Sequence, residues 1–342
     1  MMKAMMLHKV IQLDGDQEPL RLRHVPLPVP GKNELRIRVT ACGVCHTELD
    51  EIEGRTPPET FPVIPGHQVV GTVESFGRGA ASFREGDRVG VAWIFSACGK
   101  CSHCLEGREN LCSRFFATGR DANGGYAEFM TVQEKFAYPI PDLFSDVQAA
   151  PLLCAGAIGY RSMMLSGIKN GQHLGLTGFG ASAHLVLKMV RFRYPGTRIS
   201  VFARKQKERD FAMELGASWA GDIHDPSPHK LDNIIDTTPA WKPVVEALKN
   251  LRPGGRLVIN AIRKEDFDKA SLLDLDYPRH LWMEKEIKSV ANVTRADVSE
   301  FLNIAAEIPI VPEVETFPLE KANTALLELK QGKIRGAKVL VI

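Results

Sequence analysis

The chain has 342 residues, with 43 Lys and Arg against 41 Asp and Glu and a formal net charge of +2. One core rarely grows past roughly 250 to 300 residues, so this length predicts about two domains. The charge balance lacks the basic footprint that nucleic-acid binding needs, and no stretch approaches the roughly 18 to 20 apolar residues required to cross a bilayer. Met1 to Val10 carries no long apolar run behind a basic region, so the expectation is a soluble cytoplasmic protein without nucleic-acid or membrane partners. A reducing cytosol keeps all seven cysteines available for metal.

The first half reads as β-structure broken by turns. Val25-Pro26-Leu27-Pro28-Val29-Pro30-Gly31 cannot sustain a strand ladder, whereas Leu35, Ile37 and Val39 alternate with polar residues. Gly71 to Phe76 and Asp87 to Trp93 are further short strands. Four cysteines follow, Cys98, Cys101, Cys104 and Cys112, in a glycine- and charge-rich segment. C-x-x-C-x-x-C followed shortly by a fourth cysteine suits four thiolates closing on one tetrahedral ion, each sulfur about 2.3 Å from zinc. A pair of disulfides is the alternative, but C-x-x-C pairs in a reducing compartment are metal or redox motifs.

The texture changes near Ser145. Apolar residues recur at helical spacing through Ala149, Leu152, Leu153 and Ala157. Short β-like runs then alternate with helical ones: Leu174 to Thr177, Ala183 to Tyr194, Ile199 to Phe202, Lys205 to Leu215, Asn233 to Asp236, Val244 to Leu251 and Leu257 to Asn260. This alternation predicts an α/β fold with a doubly wound parallel sheet.

Gly178-Phe179-Gly180-Ala181-Ser182-Ala183 follows the first of these strands and opens a helix, the setting in which G-x-G-x-x-G/A is a dinucleotide fingerprint. Gly178 permits the tight turn, Gly180 lets backbone approach a pyrophosphate, and Ala183 is small enough for the helix to pack closely. The helix start offers free N–H groups to the phosphates. After the next strand the chain reads Ala203-Arg204-Lys205, with no carboxylate for the ribose hydroxyls. Arg204 and Lys205 can instead pair with a 2′-phosphate, which favours NADP(H) over NAD(H).

Cys45, His67 and Cys154 each offer one further ligand, a weak set by spacing alone. Together with Gly43-Val44-Cys45-His46-Thr47, the four-cysteine lobe, the glycine loop and Gly332-Lys333-Ile334-Arg335-Gly336, however, the chain resembles the zinc-dependent medium-chain alcohol dehydrogenases over nearly its whole length. The resemblance implies two zinc ions: a catalytic one on Cys45, His67 and Cys154, with a fourth position open, and a structural one on Cys98, Cys101, Cys104 and Cys112. It implies that His46 and Arg335 face the cofactor pyrophosphate, that Thr47 touches the substrate oxygen and relays its proton, and that Glu48 braces the ligand histidine.

Two positions depart from the family. Gln68 stands where many members have Glu, and Asp50 stands where some members end the proton relay with histidine. Asp50 is either a proton acceptor or a surface acid with no role. Cys42 matches no ligand position and reads as a buried thiol. Trp93, Ile94, Phe95 and Phe115 line an apolar substrate pocket or belong to the core.

The resemblance implies a GroES-like, barrel-type catalytic domain from residues 1–155 and 295–342, with the zinc lobe at 96–113. A Rossmann domain spans 156–294, and Leu281 to Ser289 forms its end. The implied reaction is reversible hydride transfer between a primary or aromatic alcohol or aldehyde and NADP or NAD, in a homodimer or homotetramer. A zinc-free enoyl or quinone reductase would lack the three ligands, and a polyol dehydrogenase typically has an acid in place of Cys154. A zinc-ribbon interaction module would account for the four-cysteine lobe alone.

Overall fold

The computed structural model describes residues 1–13, 17–308, 310–333 and 336–342. Strand Glu34–Val44 organises the first half, because its alternation turns Leu35, Ile37 and Val39 into a core where none is more than 2% exposed. It pairs antiparallel with Val69–Phe76, Phe129–Gln133 and Ala337–Val341, and the pairing with Val69–Phe76 contains two register shifts. The sheet continues through Arg88–Val91 to Ala137–Pro139 on one side. On the other side Val314–Pro318 lies parallel to Ala337–Val341. Smaller two-stranded ladders join Met2–Leu7 to Leu20–Val25 and Ile94–Ser96 to Phe116–Ala117. Inside, Lys338 is fully buried, and its ammonium donates to Glu315 and Glu328 at 2.6 Å each.

This unit comprises Met1–Cys154 and Val293–Ile342. Its chain is interrupted by a second unit, Ala155–Asn292. The connection is a helix, Asp146–Pro151, a π-helical turn, Leu152–Gly156, and a second helix, Ala157–Ser166. Pro151 removes a backbone donor at the point where the helix changes pitch, and such π-turns frequently occur at functional sites.

The second unit contains a six-stranded, wholly parallel sheet. Across it the strands run Trp219–Gly221, Arg198–Phe202, His173–Thr177, Leu231–Asp236, Leu251–Ile259 and Glu286–Ser289. In chain order that is 3-2-1-4-5-6, the doubly wound Rossmann arrangement. Helices Ala181–Arg193, Gln206–Glu214 and Lys242–Leu248 connect the strands. Leu174, Leu176, Ile234, Ile235, Leu257 and Val258 are all completely buried, the continuous apolar run expected of strands covered on both faces. The last strand, Glu286-Ile287-Lys288-Ser289, is instead exposed along its whole length and forms the sheet's edge. Its charged residues gave no strand pattern.

The mixed architecture is therefore the expected one, a GroES-like sheet unit and a parallel Rossmann unit. The expected strand Asp87–Trp93 is shorter, Arg88–Val91, and Val69 and Val70 extend the next-door strand backwards. Ile37→Ala should lower the unfolding free energy by about 2–5 kcal/mol, the usual cost of emptying a closed core site. Guanidinium denaturation checks this, and a loss well under 1 kcal/mol would mean that the site collapses around the cavity.

Candidate catalytic and metal sites

The helix His46–Ile52 begins at Cys45, which caps it in place of the usual Ser or Thr. Its sulfur accepts from the Thr47 N–H at 3.4 Å, and Glu48 Oε2 accepts from the Cys45 N–H at 2.9 Å. This is a capping box, C-x-x-E, built with a thiol. The other oxygen of Glu48 meets His67 Nδ1 at 2.5 Å, and both side chains are buried. A His67 that donates its Nδ1–H to this carboxylate turns the Nε2 lone pair toward Cys45, whose sulfur is 3.7 Å away. Cys154, on the π-helical turn, completes the group, and the three ligand atoms all lie within 4.8 Å of one another.

The charges explain why these groups would favour a cation. The shared hydrogen bond with Cys154, burial and the Glu48 charge together push the Cys45 thiol well above its ordinary value. Burial by itself would lower His67, but the charges of Glu48 and Cys45 raise it instead. A divalent ion placed among the three donors would relieve this crowding of anions.

Cys98, Cys101, Cys104 and Cys112 form the second group, again with every sulfur within 4.8 Å of the others. Cys101 caps the short helix Ser102–Leu105, Cys104 lies within it, and Cys112 ends the turn Glu109–Leu111. All seven cysteines are free. Cys98 and Cys104 sulfurs stand 3.9 Å apart, far beyond a disulfide bond of about 2.05 Å. Thiolates each 2.3 Å from one tetrahedral centre would be about 3.8 Å apart, so the donor set fits zinc. Backbone N–H groups of Lys100 and Cys101 lower the Cys98 thiol to about 5, while burial pushes Cys104 up to about 12.

In the other unit, Gly178 follows strand His173–Thr177 at φ +74°, where a Cβ would come within 2.8 Å of Thr238 and 3.0 Å of Thr237. Gly180 caps helix Ala181–Arg193, and a Cβ there would meet nothing within 4 Å, leaving its backbone open to approach. Ala183, in the first turn of that helix, is completely buried. Ala203, Arg204 and Lys205 follow strand Arg198–Phe202. Ala203 is buried, Arg204 and Lys205 are exposed, and Lys205 caps helix Gln206–Glu214. Arg335 lies outside the described residues.

A family profile, Alcohol dehydrogenase GroES-like domain, matches residues 31–142. The chain is 43% identical to a Mycobacterium tuberculosis protein named "Probable alcohol dehydrogenase AdhA", over 96% of this chain and 94% of that one. The chain belongs to the medium-chain alcohol dehydrogenase family. A Moraxella alcohol dehydrogenase is 33% identical over 99% of both chains. A cinnamyl alcohol dehydrogenase structure from Sorghum bicolor superposes with a TM-score of 0.82 at 26% identity, covering 99% of this chain and 97% of that one.

Several features of this dehydrogenase lie outside what the motifs announced. Asp50 accepts a hydrogen bond from the Arg55 guanidinium, and Arg55 also donates to Glu53 at 2.6 Å. Gln68 is buried, and its amide oxygen occupies the space that a Cβ on Gly43 would need. Cys42 is completely buried, and burial pushes its thiol well up. Of the aromatic group, Trp93 and Ile94 are core residues, while the Phe115 ring packs tilted against Trp93 with centroids 5.3 Å apart. The Arg120 guanidinium lies over both rings.

Sequence reasoning missed Glu51. Its carboxylate is buried on the same helix as Glu48, and among the described residues neither of its oxygens nor the nearby Trp93 indole N–H has a hydrogen bond of ordinary geometry. Burial and the Glu48 charge push the Glu51 carboxyl well up, against the opposing influence of His67 and Arg120. The only signal was a third acid in Glu48-Leu49-Asp50-Glu51, which reads as a solvated helix face until the burial is known.

Gly66 holds the backbone just before His67. It sits at φ +99°, and a Cβ would come within 2.4 Å of the Tyr126 ring and 2.9 Å of the Cys42 sulfur. Gly66→Ala should cost at least about 1–3 kcal/mol of stability through backbone strain alone, and it should reduce turnover by displacing His67. Unchanged unfolding and unchanged kcat would show that the loop moves aside freely.

Proposed function

We propose that this alcohol dehydrogenase is zinc-dependent and transfers hydride reversibly between a primary or aromatic alcohol, or the corresponding aldehyde, and NADP(H), with NAD(H) as the weaker cofactor. The convergence of Cys45, His67 and Cys154 carries this reading, because two sulfurs and one imidazole within 4.8 Å leave a tetrahedral ion one open position. The four-cysteine lobe would hold a second, structural ion. A zinc-free reductase has no use for either set, and a zinc-ribbon module has no use for the first.

When bound, catalytic zinc supplies a Lewis acid that favours loss of the alcohol proton in one direction and polarises the aldehyde in the other. The chain's own residues do the rest. Glu48 holds the His67 tautomer and orientation while it caps the helix that carries Thr47. Thr47, half-buried in the first turn of that helix, is the residue we assign to the substrate hydroxyl and its proton. Asp50 occupies the place at which other members end the relay. There its carboxylate accepts a hydrogen bond from the Arg55 guanidinium.

For the cofactor, we assign the pyrophosphate to the loop Gly178–Ala183, helped by His46 and by Arg335 from the tail. The exposed cations Arg204 and Lys205 receive the 2′-phosphate, and Ala203 leaves room for the adenosine ribose. The Sorghum relative's name supports an aromatic allylic alcohol as one substrate class to examine. We further assign a homodimer or homotetramer, supported by the exposed edge strand Glu286–Ser289 and the exposed Trp282 and Met283 beside it.

Metal analysis tests the zinc assignment. Wild-type protein should carry two zinc ions per chain. Cys154→Ala should keep one ion and its fold while losing turnover. Cys101→Ala should instead lose stability, since structural zinc is worth on the order of 10 kcal/mol of folding free energy in isolated peptides. If both variants stayed folded and active, this division of the cysteines would be wrong.

Steady-state kinetics with a panel of aliphatic, aromatic and allylic aldehydes test the cofactor. NADPH should exceed NADH in kcat/KM by about tenfold or more, the worth of one charge-assisted hydrogen bond. Arg204→Ala should narrow that ratio, and a clear wild-type preference for NADH would overturn the NADP(H) assignment.

A further inference from the structure

Strands His173–Thr177 and Leu231–Asp236 lie side by side, with Thr177 opposite Asp236. Chain order reverses between them, and in open α/β sheets ligands bind in the crevice outside the strand ends at such a switch point. Under that crevice lies a buried ion pair. Asp236 is completely buried and the Lys264 side chain is 6% exposed.

Every donor of the Lys264 ammonium has a partner: the Asp236 carboxylate, the Thr238 carbonyl at 2.7 Å and the Ala240 carbonyl at 2.8 Å. Asp236 also accepts from the Thr177 hydroxyl at 2.6 Å and the Thr238 hydroxyl at 2.8 Å. Thr237 donates to the Thr177 carbonyl through its N–H at 2.9 Å and its hydroxyl at 3.0 Å. Thr237 and Thr238 in turn fill the space beside Gly178 that a Cβ would need. One charged pair thus ties the loop 237–240 to the first glycine of the dinucleotide motif.

Stability alone is a weak reason for such a pair. Desolvating two ions offsets most of their attraction, and well-packed apolar replacements are often as stable or more so. What an apolar pair cannot do is aim two carbonyl and two hydroxyl groups at once.

We propose that Asp236 and Lys264 are positioning residues for the dinucleotide, holding Thr237–Ala240 and the Gly178 turn in the shape that receives it. With its three donors spent within the protein, Lys264 does not contact the cofactor itself. The proposal rests on the dinucleotide reading above.

Fluorescence titration of the full-length, zinc-loaded protein with NADPH, and in parallel with NADH, tests it, using Lys264→Met, Asp236→Asn and the double variant Asp236→Leu with Lys264→Met. The double variant leaves no unpaired buried charge. It should keep a melting temperature close to wild type, with an NADPH Kd raised at least tenfold and kcat at saturating cofactor within about threefold. Asp236→Asn keeps the side-chain shape and should weaken binding in the same direction. A Kd within twofold of wild type in any folded variant would overturn the proposal and leave the pair a purely structural device. Wild-type protein that binds neither NADPH nor NADH would instead sink the dinucleotide reading, and this proposal with it.

Discussion

One carboxylate, that of Glu48, makes two commitments at once. Its Oε2 closes the capping box on Cys45, and its Oε1 holds His67. Helix start, histidine orientation and the direction of the Cys45 sulfur are therefore not independent. Moving any one of them disturbs a buried charge that has exchanged water for these partners, and a buried carboxylate left with one bond fewer is costly. The long strand Glu34–Val44 delivers Cys45 to this point, and Gly66 brings His67 close only because no side chain intervenes.

The two cysteine groups differ in how they are built. The four-cysteine lobe is local. Its four cysteines lie within 15 residues on two short turns, half-buried except for Cys112, and all come from one segment of chain. The Cys45, His67 and Cys154 group is drawn from a helix cap, a loop beside the sheet and a π-helical turn more than 100 residues further on. A self-contained lobe can be closed by an ion without the rest of the fold. The dispersed set exists only once the sheet has formed.

The parallel unit repeats this economy with a different chemistry. Its glycine loop is shaped by φ at Gly178 and by the two threonines packed against it, and those threonines are held by a charge pair buried at the sheet's carboxyl edge. In both units an ionic group with several buried partners lies just behind the atoms that we assign to a ligand. That is the arrangement expected where side-chain precision matters more than net stability.

Much of this was legible in the chain. The C-x-x-C-x-x-C run, the strand-then-glycine motif and the β/α alternation are local patterns, and local patterns survive into the fold because they depend on spacing and backbone conformation. The sequence by itself determined the four-cysteine lobe, the parallel sheet and the glycine loop. Only the tertiary structure could bring Cys154 to Cys45, pair Asp50 with Arg55, bury Glu51, or join Asp236 to Lys264. Each of those depends on which residues come to share a small volume of low dielectric. An acid or a lysine read in isolation carries no mark of whether water or another charge will be its neighbour.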